Sequence, residues 1–161
     1  MTTHTYTSEH RYGGENQLVK SAEFAESWYY QGAKHTIDAV KEWRQKFDAP
    51  MAAEPTVDHP ATNALCIALL EEELHELEVA LSNRDKVAAL DALTDLQYLL
   101  DGTYLALGMA HLKHDAFNEV QRSNMSKLGE DGLPVRRNDG KILKGPNYFP
   151  PNLQQFFRDD I

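Results

Sequence analysis

Two neighbouring segments of the chain, residues 64–82 and 85–107, carry apolar side chains at helical spacing and are separated only by the polar sequence SNRD. The second segment is apolar almost all round, which is typical of a buried helix. Consecutive helices joined by so short a turn pack antiparallel. We therefore expect a helical hairpin at the centre of the fold. The apolar stripe of its first helix consists of Leu70, Leu74, Leu77 and Leu81.

Further helices are predicted before this hairpin. Apolar residues recur at helical spacing over residues 34–47, and residues 16–30 are compatible with another helix. Residues 48–63 contain three prolines among small and polar residues, which is typical of a connecting loop. Either Thr62 or Asn63 is expected to cap the helix that follows.

The C-terminal third of the chain combines one helix with an irregular arm. A fourth helix is predicted over residues 113–128, where it stops at Gly129. Residues 129–161 are rich in turn sequences, and VRRNDGKIL within them is compatible with a small hairpin. The prediction is an all-α bundle of four to five helices with an irregular C-terminal arm, forming a single domain over residues 1–161. Residues 1–15 are expected to be flexible.

Composition and charge exclude several classes of function. The formal net charge of −9 argues against a general nucleic-acid partner or an anionic membrane surface. No apolar run approaches the roughly 20 residues of a transmembrane helix, and the N-terminal sequence is polar, unlike a secretory signal. Since Cys66 is the only cysteine, the chain cannot form an internal disulfide. A reducing cytoplasm is therefore the expected compartment.

Carboxylates are concentrated on one side of the second predicted helix. Residues 71–78 contain five of them. At 100° per residue, Glu73 lies about 60°, Glu76 about 120° and Glu72 about 160° from the centre of the apolar stripe, all in the same direction. The remaining two, on the opposite flank, are expected to be solvated, and they are Glu71 and Glu78.

The third predicted helix carries a matching polar face. Asp91, Asp95, Tyr98 and Gly102 follow one another at intervals that keep them on a single face. Residues 88–108 contain no Lys or Arg, and an unpaired charge on a buried helix costs several kcal/mol or more. The aspartates are therefore expected to need cations, and clustered carboxylate oxygens suit Mg²⁺ or Mn²⁺ better than zinc. Gly102 would let another group approach the helix closely.

Two interpretations of the acidic residues remain open. Runs such as EEE are commonly solvated helix surface, and Asp91 has the position of an ordinary first-turn residue. However, acidic faces on two consecutive antiparallel helices would converge on one place. This conjunction favours a site for divalent cations.

The region that follows has the opposite charge balance. Residues 120–148 contain six Lys or Arg against three Asp or Glu, and a basic arm facing an acidic pocket suits a metal–polyphosphate complex. Lys144 is the phosphate candidate of the arm, because Gly and Pro beside it hold its backbone in a defined path. Asn124 is expected to have a polar partner, with Lys127 one turn away, and it shares a core-facing stripe with Phe117, Val120 and Leu128.

Five segments together resemble a known family. EEELHE and DALTDLQYLLDG are similar to the paired EExxE and ExxD motifs of the MazG-like all-α nucleoside triphosphate pyrophosphohydrolases. That superfamily includes phosphoribosyl-ATP pyrophosphohydrolases and dimeric dUTPases. VKEWRQKF, RSNMSKL and DGKILKGPNYFPPNL resemble segments of its phosphoribosyl-ATP-pyrophosphohydrolase-like branch. The resemblance covers roughly residues 34–153.

The resemblance implies site residues and an assembly. The metal-ligand positions match Glu73, Glu76 and Asp95, and Glu72 is the additional acidic residue beside them. The glutamate of the second motif falls on Ala92, so Asp91 is its substitute. The positions suited to phosphates match Asn124, Lys127 and Lys144. Family members hydrolyse between the α- and β-phosphates, and similar proteins form dimers or dimers of dimers.

The resulting hypothesis is Mg²⁺-dependent hydrolysis of a nucleoside or deoxynucleoside triphosphate to its monophosphate and pyrophosphate, with Mn²⁺ as a substitute metal. Glu72 would accept the proton of the attacking water or orient that water. Trp43, with Trp28, would contact the base. Two alternatives stay open. One is phosphoribosyl-ATP hydrolysis in histidine biosynthesis, and the other is a non-catalytic metal-binding helical module.

Overall fold

The structure, a computed structural model, describes residues 35–157. The predicted flexible residues 1–15, the predicted helix over 16–30 and Trp28 lie outside the described residues, and the single-domain organisation stays a prediction. The described part contains four α-helices and no strands, which confirms the all-α prediction. The helices are α1 (Thr36–Lys46), α2 (Pro60–Asn83), α3 (Lys86–Ala106) and α4 (Lys113–Met125), accompanied by short 3₁₀ helices at Ala110–Leu112 and Leu153–Phe156.

Helices α2 and α3 form the predicted hairpin, with only Arg84 and Asp85 between them. Arg84 ends α2 in the left-handed conformation with φ of 56°. The Asp85 carboxylate then accepts hydrogen bonds from the backbone N–H groups of Val87 and Ala88 at 3.0 and 3.1 Å. These bonds satisfy donors that the first turn of α3 would otherwise leave free. The SNRD sequence therefore ends α2 at Arg84 and caps α3 at the next residue, Asp85.

The predicted cap of α2 was wrong. The helix begins at Pro60, after His59, and no side chain caps it. Proline suits a first helical position because its missing N–H would have no partner there, and its φ is already helical. Asn63, one of the two predicted caps, instead donates from its side-chain amide to the carbonyl of Val57 at 2.7 Å.

Helix α1 packs against α3 where α3 has no side chain. Gly102 is buried, and a Cβ placed there would lie 3.2 Å from Arg44 Nη1 and 3.8 Å from Val40 Cγ1. Val40 is buried in the same contact. The close approach predicted at Gly102 is thus made by two side chains of α1.

The helical hairpin buries less apolar surface than its sequence predicted. The expectation that α3 is buried all round was wrong, because Leu90, Leu93 and Leu100 are exposed in the described chain. The apolar stripe of α2 is also divided, since Leu74 and Leu81 are exposed. None of the described helices is both long and apolar enough to cross a bilayer. The buried apolar residues are Val40, Ala80, Ala92, Leu105 and Ala106.

The connection between α3 and α4 contains a buried ion pair. Asp101, fully buried on α3, pairs with Lys113 at the start of α4. Between them the chain turns at Gly108, whose φ is +69°. A Cβ at that glycine would fall 2.1 Å from the carbonyl oxygen of Glu54, so only glycine fits. These contacts fix where α4 begins.

The buried side of α4 was also predicted wrongly. Phe117, Val120 and Asn124 are exposed, whereas Glu119 and Ser123 are buried. The partner of this polar side is the C-terminal arm rather than an apolar core. The helix ends at Met125, three residues before the predicted end.

The arm is held to α4 by hydrogen bonds between side chains at α4 and backbone groups of the arm. Glu119 accepts from the N–H of Asn152 at 2.7 Å. The Ser123 hydroxyl donates to the carbonyl of Phe149 at 2.8 Å, and the N–H of Phe149 donates to Ser126 Oγ at 3.1 Å. Within the arm, an antiparallel bridge joins residues 136 and 142 in the segment that suggested a hairpin.

Candidate functional site

Glu73 is the most constrained of the carboxylates on α2. It is half-buried, and its Oε2 atom is out of contact with solvent and has no hydrogen-bond partner. Glu72 and Glu76 are exposed. This order agrees with the helical geometry, which places Glu73 nearest to the apolar stripe. A carboxylate oxygen in this situation lacks the hydrogen bonds or cation that usually accompany burial.

Burial raises the pKa of Glu73 above its ordinary value of 4.5, and the negative charges of Glu76, Asp95, Glu72 and Asp91 raise it further. Two of these neighbours are on α2 and two are on α3. The structure therefore brings the other four predicted carboxylates, from both helices of the hairpin, within electrostatic reach of Glu73.

Glu76 and Asp91 line one cavity of about 250 Å³ between α2 and α3. Ala92, which stands where the family motif has a glutamate, is buried. Asp91, one residue earlier, is on the open side of α3. The expectation that Asp91 and Asp95 are buried was wrong, since both are exposed. Among the predicted ligands, the buried oxygen without a partner belongs to Glu73 instead.

Within residues 35–157, no three His, Cys, Asp or Glu side chains are arranged to hold a metal ion. The donor chemistry nevertheless fits a hard divalent cation, because every member of the cluster offers carboxylate oxygens. The unpartnered oxygen of Glu73 also fits, since a cation would supply the contact it lacks. To bind one ion together, the carboxylate side chains of the two facing helices would rotate until their oxygens converge.

The three predicted phosphate-binding residues gather at the end of α4. Lys127 Nζ donates to Asn124 Oδ1 at 2.8 Å, so the expected partner of Asn124 is present. The N–H of Gly145 donates to the carbonyl of Lys127 at 3.0 Å. This bond brings the backbone of Lys144, the preceding residue, close to that of Lys127. The Lys144 ammonium lies 4.2 Å from the centroid of the Tyr148 ring.

Gly145 allows this close contact between the arm and α4. A Cβ there would fall 2.2 Å from the carbonyl oxygen of Leu128. In the described part of the chain, no hydrogen bond or ion pair joins this group to the carboxylates of the hairpin. The acidic and the basic residues therefore form two separate clusters.

Trp43 lies at a cleft of about 300 Å³ between the first three helices. Its ring stacks on Phe47 with centroids 4.6 Å apart, and it meets the edge of Tyr98 at 6.3 Å. Tyr98 belongs to the same face of α3 as Asp91 and Asp95. Among the residues that line the cleft are Trp43, Arg44, Leu65, Leu69, Tyr98 and Gly102.

Arg44 is a cleft residue that the sequence analysis missed. Its Nε donates to the carbonyl of Pro50 at 3.1 Å, and its Nη2 donates to the same oxygen. The sequence did indicate that Arg44 faces the interior, because Arg44 follows Val40 by one helical turn and so shares its buried side. The facing glycine on α3 was the matching signal.

The family model for phosphoribosyl-ATP pyrophosphohydrolase matches residues 40–124, just over half of the chain. The match contains the five carboxylates and the cleft residues of α1, and it ends before Lys127 and Lys144. It agrees with the resemblance to the MazG-like superfamily. No curated protein matches the chain. The chain belongs to the phosphoribosyl-ATP pyrophosphohydrolase family.

Proposed function

We propose that the protein hydrolyses a nucleoside or deoxynucleoside triphosphate to its monophosphate and pyrophosphate. Its family implies pyrophosphohydrolase chemistry on a nucleotide. The observation that carries the proposal is Glu73, whose buried oxygen has no partner while four other carboxylates surround it. A cluster of this kind is suited to the magnesium that accompanies a triphosphate.

Four of the carboxylates would hold the metal, and they are Glu73, Glu76, Asp91 and Asp95. Mg²⁺ is the natural ion for this donor set, with Mn²⁺ as its substitute. When bound, the metal orients phosphate oxygens, disperses their charge and makes the attacking water more acidic.

Glu72 is the proposed proton acceptor. It is exposed and adjoins Glu73 on α2, so its carboxylate is free to contact a water beside the phosphates. Its role is to orient that water and accept its proton.

Lys127, Asn124 and Lys144 are proposed to stabilise the departing pyrophosphate. The Lys127–Asn124 hydrogen bond holds the ammonium in place, and the arm presents Lys144 next to it. Ammonium groups provide the charge-assisted hydrogen bonds that phosphate oxygens accept.

Trp43 and its cleft are proposed to receive the base. On α2 the cleft residue Leu69 precedes Glu73 by four residues, which is about 6 Å along the helix. On α3, Tyr98 follows Asp95 by less than one turn. A base in the cleft would therefore leave its phosphates within reach of the carboxylates.

Phosphoribosyl-ATP is the second candidate substrate, favoured by the family that the chain matches. It would use the same carboxylates on a larger molecule, as one step of histidine biosynthesis. Turnover of phosphoribosyl-ATP in preference to every nucleoside triphosphate would establish it.

We further propose a cytoplasmic homodimer or dimer of dimers. The single cysteine suits a reducing compartment. The exposed leucines of α2 and α3 suit burial against a second copy of the chain.

The decisive experiment measures pyrophosphate release from a panel of canonical and modified triphosphates with Mg²⁺. Absence of turnover for all of them at micromolar enzyme would refute the leading proposal. If Mn²⁺ still binds in that case and phosphoribosyl-ATP is not hydrolysed either, the protein is a non-catalytic metal-binding module.

Glu73→Gln tests the site directly. We expect it to lower kcat/KM by roughly a hundredfold or more and to weaken Mn²⁺ binding, measured by electron paramagnetic resonance. Glu71→Gln is the matched control on the same helix, and both properties should stay unchanged. Equal activity of the two variants would show that the site is misplaced.

A further inference from the structure

Arg44 is a half-buried cation in a cleft whose other lining residues are largely apolar. Within the described residues it has no carboxylate partner. A guanidinium withdrawn from water needs acceptors for its N–H groups, since each unmet donor carries a desolvation cost. One backbone carbonyl, that of Pro50, meets part of this need. The rest is available to a ligand.

The contact with Pro50 decides which edge of the guanidinium remains free. Nε and one N–H of Nη2 converge on the Pro50 oxygen. The opposite edge is formed by the remaining N–H groups of Nη1 and Nη2, which are parallel and suited to two adjacent acceptors. Nη1 lies against the backbone of α3 at Gly102, where no Cβ intrudes. The Nε–Nη2 edge is therefore held by Pro50, whereas no hydrogen bond of the described residues occupies the Nη1–Nη2 edge.

The cleft has the dimensions and surface of a site for one base. Its volume of about 300 Å³ is at the lower end of the range of roughly 300–1,000 Å³ for small-molecule sites. Trp43 and Tyr98 offer aromatic surface for a flat ring. A phosphate group would be poorly placed here, because the apolar lining offers few donors besides Arg44.

We propose that Arg44 is a specificity-determining residue that selects bases with two adjacent hydrogen-bond acceptors. Guanine and hypoxanthine present such a pair as O6 and N7, and cytosine presents one as O2 and N3. Adenine, thymine and uracil instead alternate donors and acceptors along their edges. This inference rests on the proposed function, in which the cleft receives the base.

The first test compares kcat/KM for dGTP, dITP and dCTP with that for dATP and dTTP. We expect the first group to be favoured by about tenfold or more. The individual substrates also show which pair of acceptors Arg44 contacts. A preference for dGTP and dITP that falls about tenfold with 7-deaza-dGTP assigns O6 and N7, whereas a preference for dCTP assigns O2 and N3. Equal rates, or a preference for dATP or dTTP, would overturn the inference.

The second test replaces the guanidinium. Arg44→Lys keeps the charge but removes the two parallel donors, so we expect discrimination between the two groups to fall to about twofold or less. The loss should appear in KM for the favoured substrates, with little change in kcat. Lys41→Gln, an exposed cation on the same helix, is the matched control and should retain discrimination. Unchanged discrimination in Arg44→Lys would overturn the inference.

A binding measurement separates this inference from the proposed function. In a Trp28→Phe background, Trp43 is the only tryptophan, and its fluorescence reports on the cleft without metal or turnover. We expect deoxyguanosine or deoxycytidine to change it at lower concentrations than deoxyadenosine. Binding with this order but no hydrolysis would remove the proposed function alone. Hydrolysis with binding that ignores the base, or binding of inorganic phosphate in place of nucleosides, would remove the role of Arg44 alone.

Discussion

At the scale of single residues, Glu73 shows how a site can oppose stability. Burial and four neighbouring carboxylates raise its pKa, so the charged form is less favourable in the folded chain than in the unfolded chain. For an acid with a raised pKa, the folded state loses relative stability as the pH rises past the unfolded value. At neutral pH the charge of Glu73 therefore works against folding when no cation is bound.

Glu73→Gln should consequently raise the melting temperature in metal-free buffer at pH 7. We expect a gain of roughly a few degrees, measured by differential scanning calorimetry with a chelator present. Glu71→Gln should leave the melting temperature almost unchanged, because that carboxylate is on the solvated flank. A lower melting temperature for Glu73→Gln would mean that the carboxylate is already stabilised by a partner.

At the scale of elements, Glu119 joins α4 to the C-terminal arm. Its carboxylate accepts hydrogen bonds from Arg122 Nε and Nη2 at 2.8 and 2.9 Å, as well as from the N–H of Asn152. The Arg122 side chain and this N–H lower the pKa of Glu119 to about 2. The arm that carries Lys144 is therefore attached through an ionised carboxylate.

Glu119→Gln should destabilise the protein in a pH-dependent way. A depressed pKa contributes stability that is complete above the ordinary value of 4.5 and disappears as the pH falls towards about 2. The difference in melting temperature between wild type and variant should thus be largest at neutral pH and shrink below pH 4.5.

Thermal unfolding followed by circular dichroism between pH 3 and 7 would measure the effect of Glu119→Gln. The exposed Glu130→Gln serves as a control and should show no such trend. A difference that does not vary with pH would assign the effect to side-chain shape rather than to charge.

At the scale of the whole molecule, the exposed leucines of the hairpin form apolar surface that the described chain does not cover. Leu74 and Leu81 are two turns apart on α2, and Leu90, Leu93 and Leu100 follow one side of α3. Where exposed apolar side chains form a patch, that patch commonly marks an interaction site. A second copy of the chain is the proposed occupant.

Sedimentation velocity should therefore show a dimer or a dimer of dimers at micromolar concentration. Leu74→Lys combined with Leu81→Lys should shift the species towards monomer, because charges would enter an apolar interface. Lys41→Gln should leave the sedimentation coefficient unchanged. A wild-type monomer at all concentrations would contradict the proposed assembly.

The same leucines show how far the sequence could predict the fold. Periodicity located the helices, and the SNRD sequence located the turn between α2 and α3. Periodicity shows which side chains share a face of α3 but not whether another element covers that face, which is why α3 was expected to be enclosed. Similarly, the burial of Glu119 and Ser123 was not predicted, because both bond to backbone groups of the arm, which no side-chain pattern records.

The sequence predicted one part of the candidate site and missed another. Helical angles placed Glu73 on the inner edge of its carboxylate group, and its half-burial agrees with that angle. Arg44 was missed because its significance depends on Gly102, a residue 58 positions further along the sequence. Contacts between residues so far apart depend on how α1 crosses α3, which local sequence does not specify.

The two-residue link at Arg84 and Asp85 also limits how the chain can change in length. One inserted residue there would turn every later side chain of α3 by about 100° and shift it by 1.5 Å relative to α2. Asp91 and Asp95 would then face away from Glu73. Insertions before Pro60 would instead leave the pairing of α2 with α3 unchanged, because that loop precedes both helices.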